Sequence, residues 1–210
     1  MVLPVNILAA RIAAMTSHLA RASLVCVGLF ASSVIVMHVV QPELSPVHMA
    51  VSYYMNGRLG WMLGAGLVLL GLGSLALAFA VRTRARSKAG WCLLTVWGVG
   101  AIVGGIFPPD PPNHWDEPSS VSGMIHGVAA MIAFLAFPFG AWLLSRTIVE
   151  RALAISCVVA LVVFFFCLAP VFANRPPHVL GLIERLLLVL YLAWLAATAS
   201  AGASVPRRTA

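Results

Sequence analysis

The sequence predicts an all-α fold: a polytopic membrane helix bundle with six transmembrane helices and both termini cytoplasmic. Three observations predict it. Of 210 residues, 61% are hydrophobic and 9% charged, whereas soluble domains run near a quarter charged. Six runs are long and apolar enough to cross a bilayer. The basic residues then fall overwhelmingly on one side of those runs.

The runs cover roughly residues 23–41, 60–82, 90–107, 121–145, 150–173 and 179–201. Each approaches the ~20 mostly apolar residues that a spanning helix needs. The third is short, which fits a modest tilt or an end at Phe107-Pro108. Helices are required because lipid leaves open backbone groups unsatisfied. Ten-residue alternating strands of a membrane barrel are absent from the pattern.

If six helices alternate, Arg11, Arg21, Arg82, Arg84, Arg86, Lys88, Arg146, Arg151, Arg207 and Arg208 share one side, and Arg58, Arg175 and Arg185 take the other. By the positive-inside rule the first side is cytoplasmic. The expected organisation is a cytoplasmic or interfacial segment at 1–22, the bundle at 23–201 and a basic cytoplasmic tail at 202–210. The expected location is a bacterial inner membrane. The N-terminal stretch has no basic start before an apolar run and does not read as a signal peptide. It reads as an interfacial helix, or translation begins at Met15.

The net charge of +7 marks topology and not a phosphate-binding stripe, so no nucleic-acid partner is expected. Cys26, Cys92, Cys157 and Cys167 all lie inside apolar runs without a CxxC pair, and read as small buried hydrophobes. Gly60 with Gly64, and Gly100 with Gly104, form small-xxx-small pairs that allow close helix approach. Pro138 is expected to kink the fourth span.

The polar residues sort unevenly. His38, His48, His114, His126 and His178 fall in the outer loops or outer helix thirds, as do Glu43, Asp110, Asp116, Glu117 and Glu184; only His18 and Glu150 lie inside. The loop from Phe107 to Pro118 is stiffened by its prolines and carries Asp110, His114, Asp116 and Glu117. His126 then sits a few ångströms into the fourth span, where a titratable group needs a partner. The last hairpin repeats the arrangement: Arg175-Pro-Pro-His178 precedes Glu184-Arg185. Gly123-Met-Ile-His126 can be laid over Gly181-Leu-Ile-Glu184, either as an internal hairpin repeat or by chance. If the repeat holds, His126 and Glu184 lie at equal depth and face each other.

Glu184 and Arg185 stand about 100° apart around their helix and want separate partners. A histidine such as His126 suits Glu184, and Asp110 suits Arg185. The bland alternative is that Arg185 snorkels to the headgroups. The residues His48, Tyr53, Tyr54, Arg58 and Trp61 form either an interfacial aromatic belt or a lid over the polar cluster.

No HExxH and no HxxxH on one helix occurs, so no metal ligand set and no cofactor is expected; His38 with His126 is the one pair a haem would need. Ser119, Ser120 and Ser122 read as helix caps and not as nucleophiles. Charges at the bilayer midplane and matched broken helices are missing, which disfavours a transporter.

The pattern Pro46…Tyr54-x-x-Gly57-x-x-Gly60-Trp61, Gly105-x-Phe107-Pro108-x-Asp110, Gly123-x-x-His126 and Glu184-Arg185 resembles the bacterial membrane family called domain of unknown function 998. The likeness runs from the first span to the sixth. It implies a six-helix protein with a polar outer face and no assigned activity, and it makes Asp110, His126, Glu184 and Arg185 the positions to watch.

The leading functional expectation is an outer-face pocket for a lipid headgroup or small ligand, with no catalytic residue assigned. Asp110, His126, Glu184 and Arg185 would form its floor and Tyr54, Arg58, His114 and His178 its rim. The partners expected are the bilayer, that ligand and a membrane-complex partner. The alternatives are an accessory subunit of a larger membrane complex and a metal-dependent membrane hydrolase.

Overall fold

A computed structural model describes residues 5–82, 87–112, 118–169 and 179–203. Among them the chain forms six α-helices: α1 (Val5–Val40), α2 (Gly60–Arg82), α3 (Lys88–Ile106), α4 (Val121–Leu144), α5 (Ile148–Leu168) and α6 (Leu180–Ala203). A short 3-10 helix, Val51–Asn56, lies between α1 and α2. No strand occurs among the described residues. All six helices are long and apolar enough to span a membrane, with α1 qualifying over Arg11–Val40. The helix is continuous from Val5 to Val40, so the segment expected at 1–22 and the first span share one helix from Val5 onward.

Local chemistry sets the helix ends. The Ser87 side chain accepts from Gly90 N at 3.1 Å and starts α3, while Ser120 accepts from Gly123 N at 3.0 Å and starts α4. Thr147 and Glu150 form a capping box at α5. Glu150 is buried because its Oε2 accepts from both Arg146 N (2.7 Å) and Thr147 N (2.9 Å).

Each helix packs on the next in sequence, and α6 closes back onto α1, giving a ring. The closure is visible where Ser17 Oγ donates to the Ala203 carbonyl at 3.3 Å. Small residues bring α2 and α3 together: a Cβ at Gly105 would stand 2.6 Å from the Gly64 carbonyl oxygen. The ring is filled by aromatic side chains from α3, α4 and α6. Phe137 stacks on Tyr191 at 4.0 Å between ring centroids, and Trp97 meets Tyr191 edge-on at 5.3 Å. Trp97 Nε1 donates to Ser74 Oγ at 3.0 Å, which satisfies the one polar atom of that ring. Outward-facing Val25, Ile35, Val39, Val128, Phe166 and Val189 remain exposed, as lipid-facing positions must.

Candidate functional site

The polar groups collect at the end of the bundle that carries the 3-10 helix. Gln41 anchors that end. Its Nε2 donates to the carbonyls of Tyr54 (2.9 Å) and Arg58 (2.8 Å), tying the 3-10 helix to the end of α1. Leu182 N donates to the Val47 carbonyl at 3.1 Å, so the preceding loop also lies against the start of α6. Leu59 turns the chain into α2 with φ 56°, a left-handed conformation that a branched-chain residue adopts only under local constraint.

Glu184 and Arg185 leave α6 toward different neighbours. Glu184 is 6% exposed, and its Oε2 accepts from Val51 N at 2.6 Å. The carboxylate thus caps the first amide of the 3-10 helix. Arg185 points to α1 instead. Its Nε donates to His38 Nε2 at 2.9 Å, and its Nη1 donates to the carbonyls of Met49 (2.8 Å) and Gly181 (2.9 Å). The Tyr54 hydroxyl accepts from Nη2 at 3.4 Å, and the guanidinium lies 5.7 Å from the Tyr54 ring centroid. His38 therefore accepts at Nε2 and donates from Nδ1 to the Val34 carbonyl at 2.7 Å.

Asp110 lies elsewhere. Its two carboxylate oxygens accept from Ser120 N, each at 3.2 Å, at the N-terminus of α4. The expected Asp110–Arg185 pair does not form. Arg185 sits on the face of α6 that meets α1, whereas Asp110 follows α3 and precedes α4, on another side of the ring. Acceptors from α1, α6 and the loop between α1 and α2 hold the Arg185 guanidinium instead.

His126 is 7% exposed and fixed by the end of α3, its Nδ1 bonded to the carbonyls of Gly104 (3.0 Å) and Phe107 (2.8 Å). Carbonyls only accept, so Nδ1 carries the proton. A cavity of about 80 Å³ opens beside it, and both His126 and Glu184 line that cavity. Val51, Ser52 and Gly104 complete its polar end, while Trp97, Phe134 and Leu188 wall the remainder. Space of that size holds several waters or a small organic group.

Tyr54 is 1% exposed and belongs to the Arg185 cluster, not to an interfacial belt, whereas Trp61 is largely exposed. Arg58 is exposed, and its backbone carbonyl takes the Gln41 bond. His114 and His178 lie outside the described residues. Sequence reasoning passed over His38 and Gln41 as site members. The signal for both was position: polar residues at the last turn of the first span, level with Arg185.

Residues 24–201 match the family described as Protein of unknown function (DUF998). The chain belongs to that family. No curated protein and no solved structure matches it. Membership fixes a membrane family and supplies no chemistry, so only the side chains of this DUF998 chain point to its role.

Proposed function

We propose that this chain is a bacterial inner-membrane protein that binds a lipid headgroup or small ligand in the cavity between His126 and Glu184. One observation carries the reading. Two ionisable side chains from α4 and α6, each more than nine-tenths buried, line the same cavity. Buried ionisable groups at membrane depth are costly unless they are partnered, and such positions favour functional sites. The Arg185 cluster fixes α6 beside them, and Asp110 fixes the start of α4, so both act as positioning groups for the cavity wall. Ten of thirteen basic residues fall, by sequence, at the opposite side of the spans, which supports an outward-facing cavity.

The test is native mass spectrometry of purified protein in lipid nanodiscs. A bound small molecule or lipid retained by the natural chain and lost from His126→Ala with Glu184→Gln supports the reading. Identical spectra, with no bound species in either, would remove it. Among the described residues no three His, Cys, Asp or Glu side chains converge as a metal site, so the hydrolase alternative draws nothing from the geometry. The accessory-subunit alternative predicts a stoichiometric partner on affinity purification.

A further inference from the structure

We infer that the occupant of the cavity is an aliphatic primary amine, its ammonium group between His126 and Glu184 and its alkyl chain directed toward Trp97. The inference rests on the pocket reading above and adds the chemical class.

The cavity is graded along the bundle axis. His126, Glu184, Ser52 and Gly104 belong to the end with the 3-10 helix, whereas Trp97 lies seven residues before Gly104 in α3 and Phe134 eight residues after His126 in the oppositely running α4. At 1.5 Å of rise per residue that is about 10 Å of depth. A molecule with one polar end and a short apolar body matches this gradient.

The polar end offers acceptors. His126 spends its Nδ1 proton on the Gly104 and Phe107 carbonyls, which leaves Nε2 as an acceptor in the neutral ring. Glu184 accepts one bond from Val51 N. The bonds of these two side chains run to Gly104, Phe107 and Val51 and not to each other, so neither satisfies the other. An ammonium group carries three N–H donors and no acceptor; a hydroxyl carries one donor, and an ionised carboxylate or phosphate none.

Charge points the same way. Arg185, the neighbouring cation, bonds to His38, Met49, Gly181 and Tyr54 and not to Glu184, on which its charge acts only through space. A buried carboxylate without a bonded cation is costly, and a ligand ammonium supplies that cation.

The experiment measures thermal unfolding of the full chain in phosphatidylglycerol nanodiscs with hexylamine, hexanol or hexanoate. Hexylamine is expected to raise Tm saturably, with hexanol and hexanoate without effect. Glu184→Gln keeps the shape and removes the charge, and is expected to weaken hexylamine about tenfold or more. Gly104→Ala guards against a misfolded Gln variant: its added Cβ would stand 3.8 Å from His126 Cε1, an ordinary contact, so the fold is kept while the polar end narrows. Loss of the hexylamine shift in Gly104→Ala supports the placement, and an unchanged shift overturns it. Stabilisation by hexanol or hexanoate in place of hexylamine overturns the amine and leaves the pocket reading intact. No shift with any probe, together with no bound species by native mass spectrometry, removes both. Discs containing phosphatidylethanolamine separate two sources of the same chemistry. A headgroup ammonium in the site abolishes the hexylamine shift there, a free amine preserves it, and each result supports an ammonium occupant.

Discussion

The Tyr191 hydroxyl donates a 2.8 Å hydrogen bond to the carbonyl of Phe134, four residues before Pro138. Proline has no N–H, so that carbonyl lacks its helical donor. A side chain from α6 replaces it, as membrane helices with internal proline require. Tyr191→Phe is expected to lower stability by about 1 kcal/mol, read from thermal unfolding in detergent. In a Pro138→Ala background, where a backbone N–H returns to Phe134, the loss should shrink. An equal loss in both backgrounds would show that the two residues are uncoupled.

Arg185 clamps three segments through neutral acceptors. His38→Phe leaves the Nε–H without its partner and is expected to cost about 1–3 kcal/mol. Arg185→Lys cannot reproduce the fork to His38, Met49 and Gly181, so it should destabilise comparably. Hydrogen exchange gives the local reading: amides from Met49 to Tyr54 should exchange faster in both variants.

Tyr53 supplies the pH dependence outside the spans. Burial first, then the charges of Glu184 and Asp110, push its phenol from the ordinary 10.0 up to about 12. Between those values the folded chain keeps a proton that the unfolded chain has released. Stability is therefore whole below pH 10 and declines as pH climbs toward about 12. Tyrosinate absorbance should place one phenol late in the titration. Glu184→Gln removes a negative charge and should bring that transition to lower pH.

Adjacent glycines on α3 should respond in opposite directions. Gly104→Ala meets only His126, at 3.8 Å and 3.9 Å, so the better helix former is expected to raise stability by about 0.5–1 kcal/mol. A Cβ at Gly105 would press on the Gly64 carbonyl at 2.6 Å and on the Val68 backbone nitrogen at 2.9 Å, forcing α2 and α3 apart. Gly105→Ala is expected to lower Tm, and similar shifts for both variants would contradict the packing described.

Asp110 and Gly123 depend on one another. A Cβ at Gly123 would fall inside the Asp110 carboxylate, which already accepts from Ser120 N. Gly123→Ala should destabilise by displacing the carboxylate, and Asp110→Ala by about 1 kcal/mol through loss of the cap. Combined, the two should cost less than their sum, because the second removes the atoms that the first strikes. Strict additivity in a double-mutant cycle would refute the contact.

The helices were legible because lipid demands them. Apolar runs gave α2 at the bounds observed, α3, α4 and α6 within a few residues, and the start of α5; residues 170–173 of its expected span lie outside the described residues. The caps at Ser120 and Pro138's special place in α4 were also readable, since both follow from local backbone chemistry. The site was only half legible. Periodicity separated Glu184 from Arg185, and depth put His126 level with Glu184, but neither fixes which helices become neighbours. The ring order turned Arg185 to His38 and left Asp110 as a cap.

By itself the sequence determined that this chain crosses a bilayer six times and which polar groups share one end, because both depend on distance along the chain and the cost of exposing polar atoms to lipid. Only the tertiary structure decided that His126 and Glu184 border one cavity while Arg185 is engaged elsewhere. That choice depends on rotation and adjacency of whole helices, set by glycine contacts and aromatic packing far along the chain from the groups they bring together.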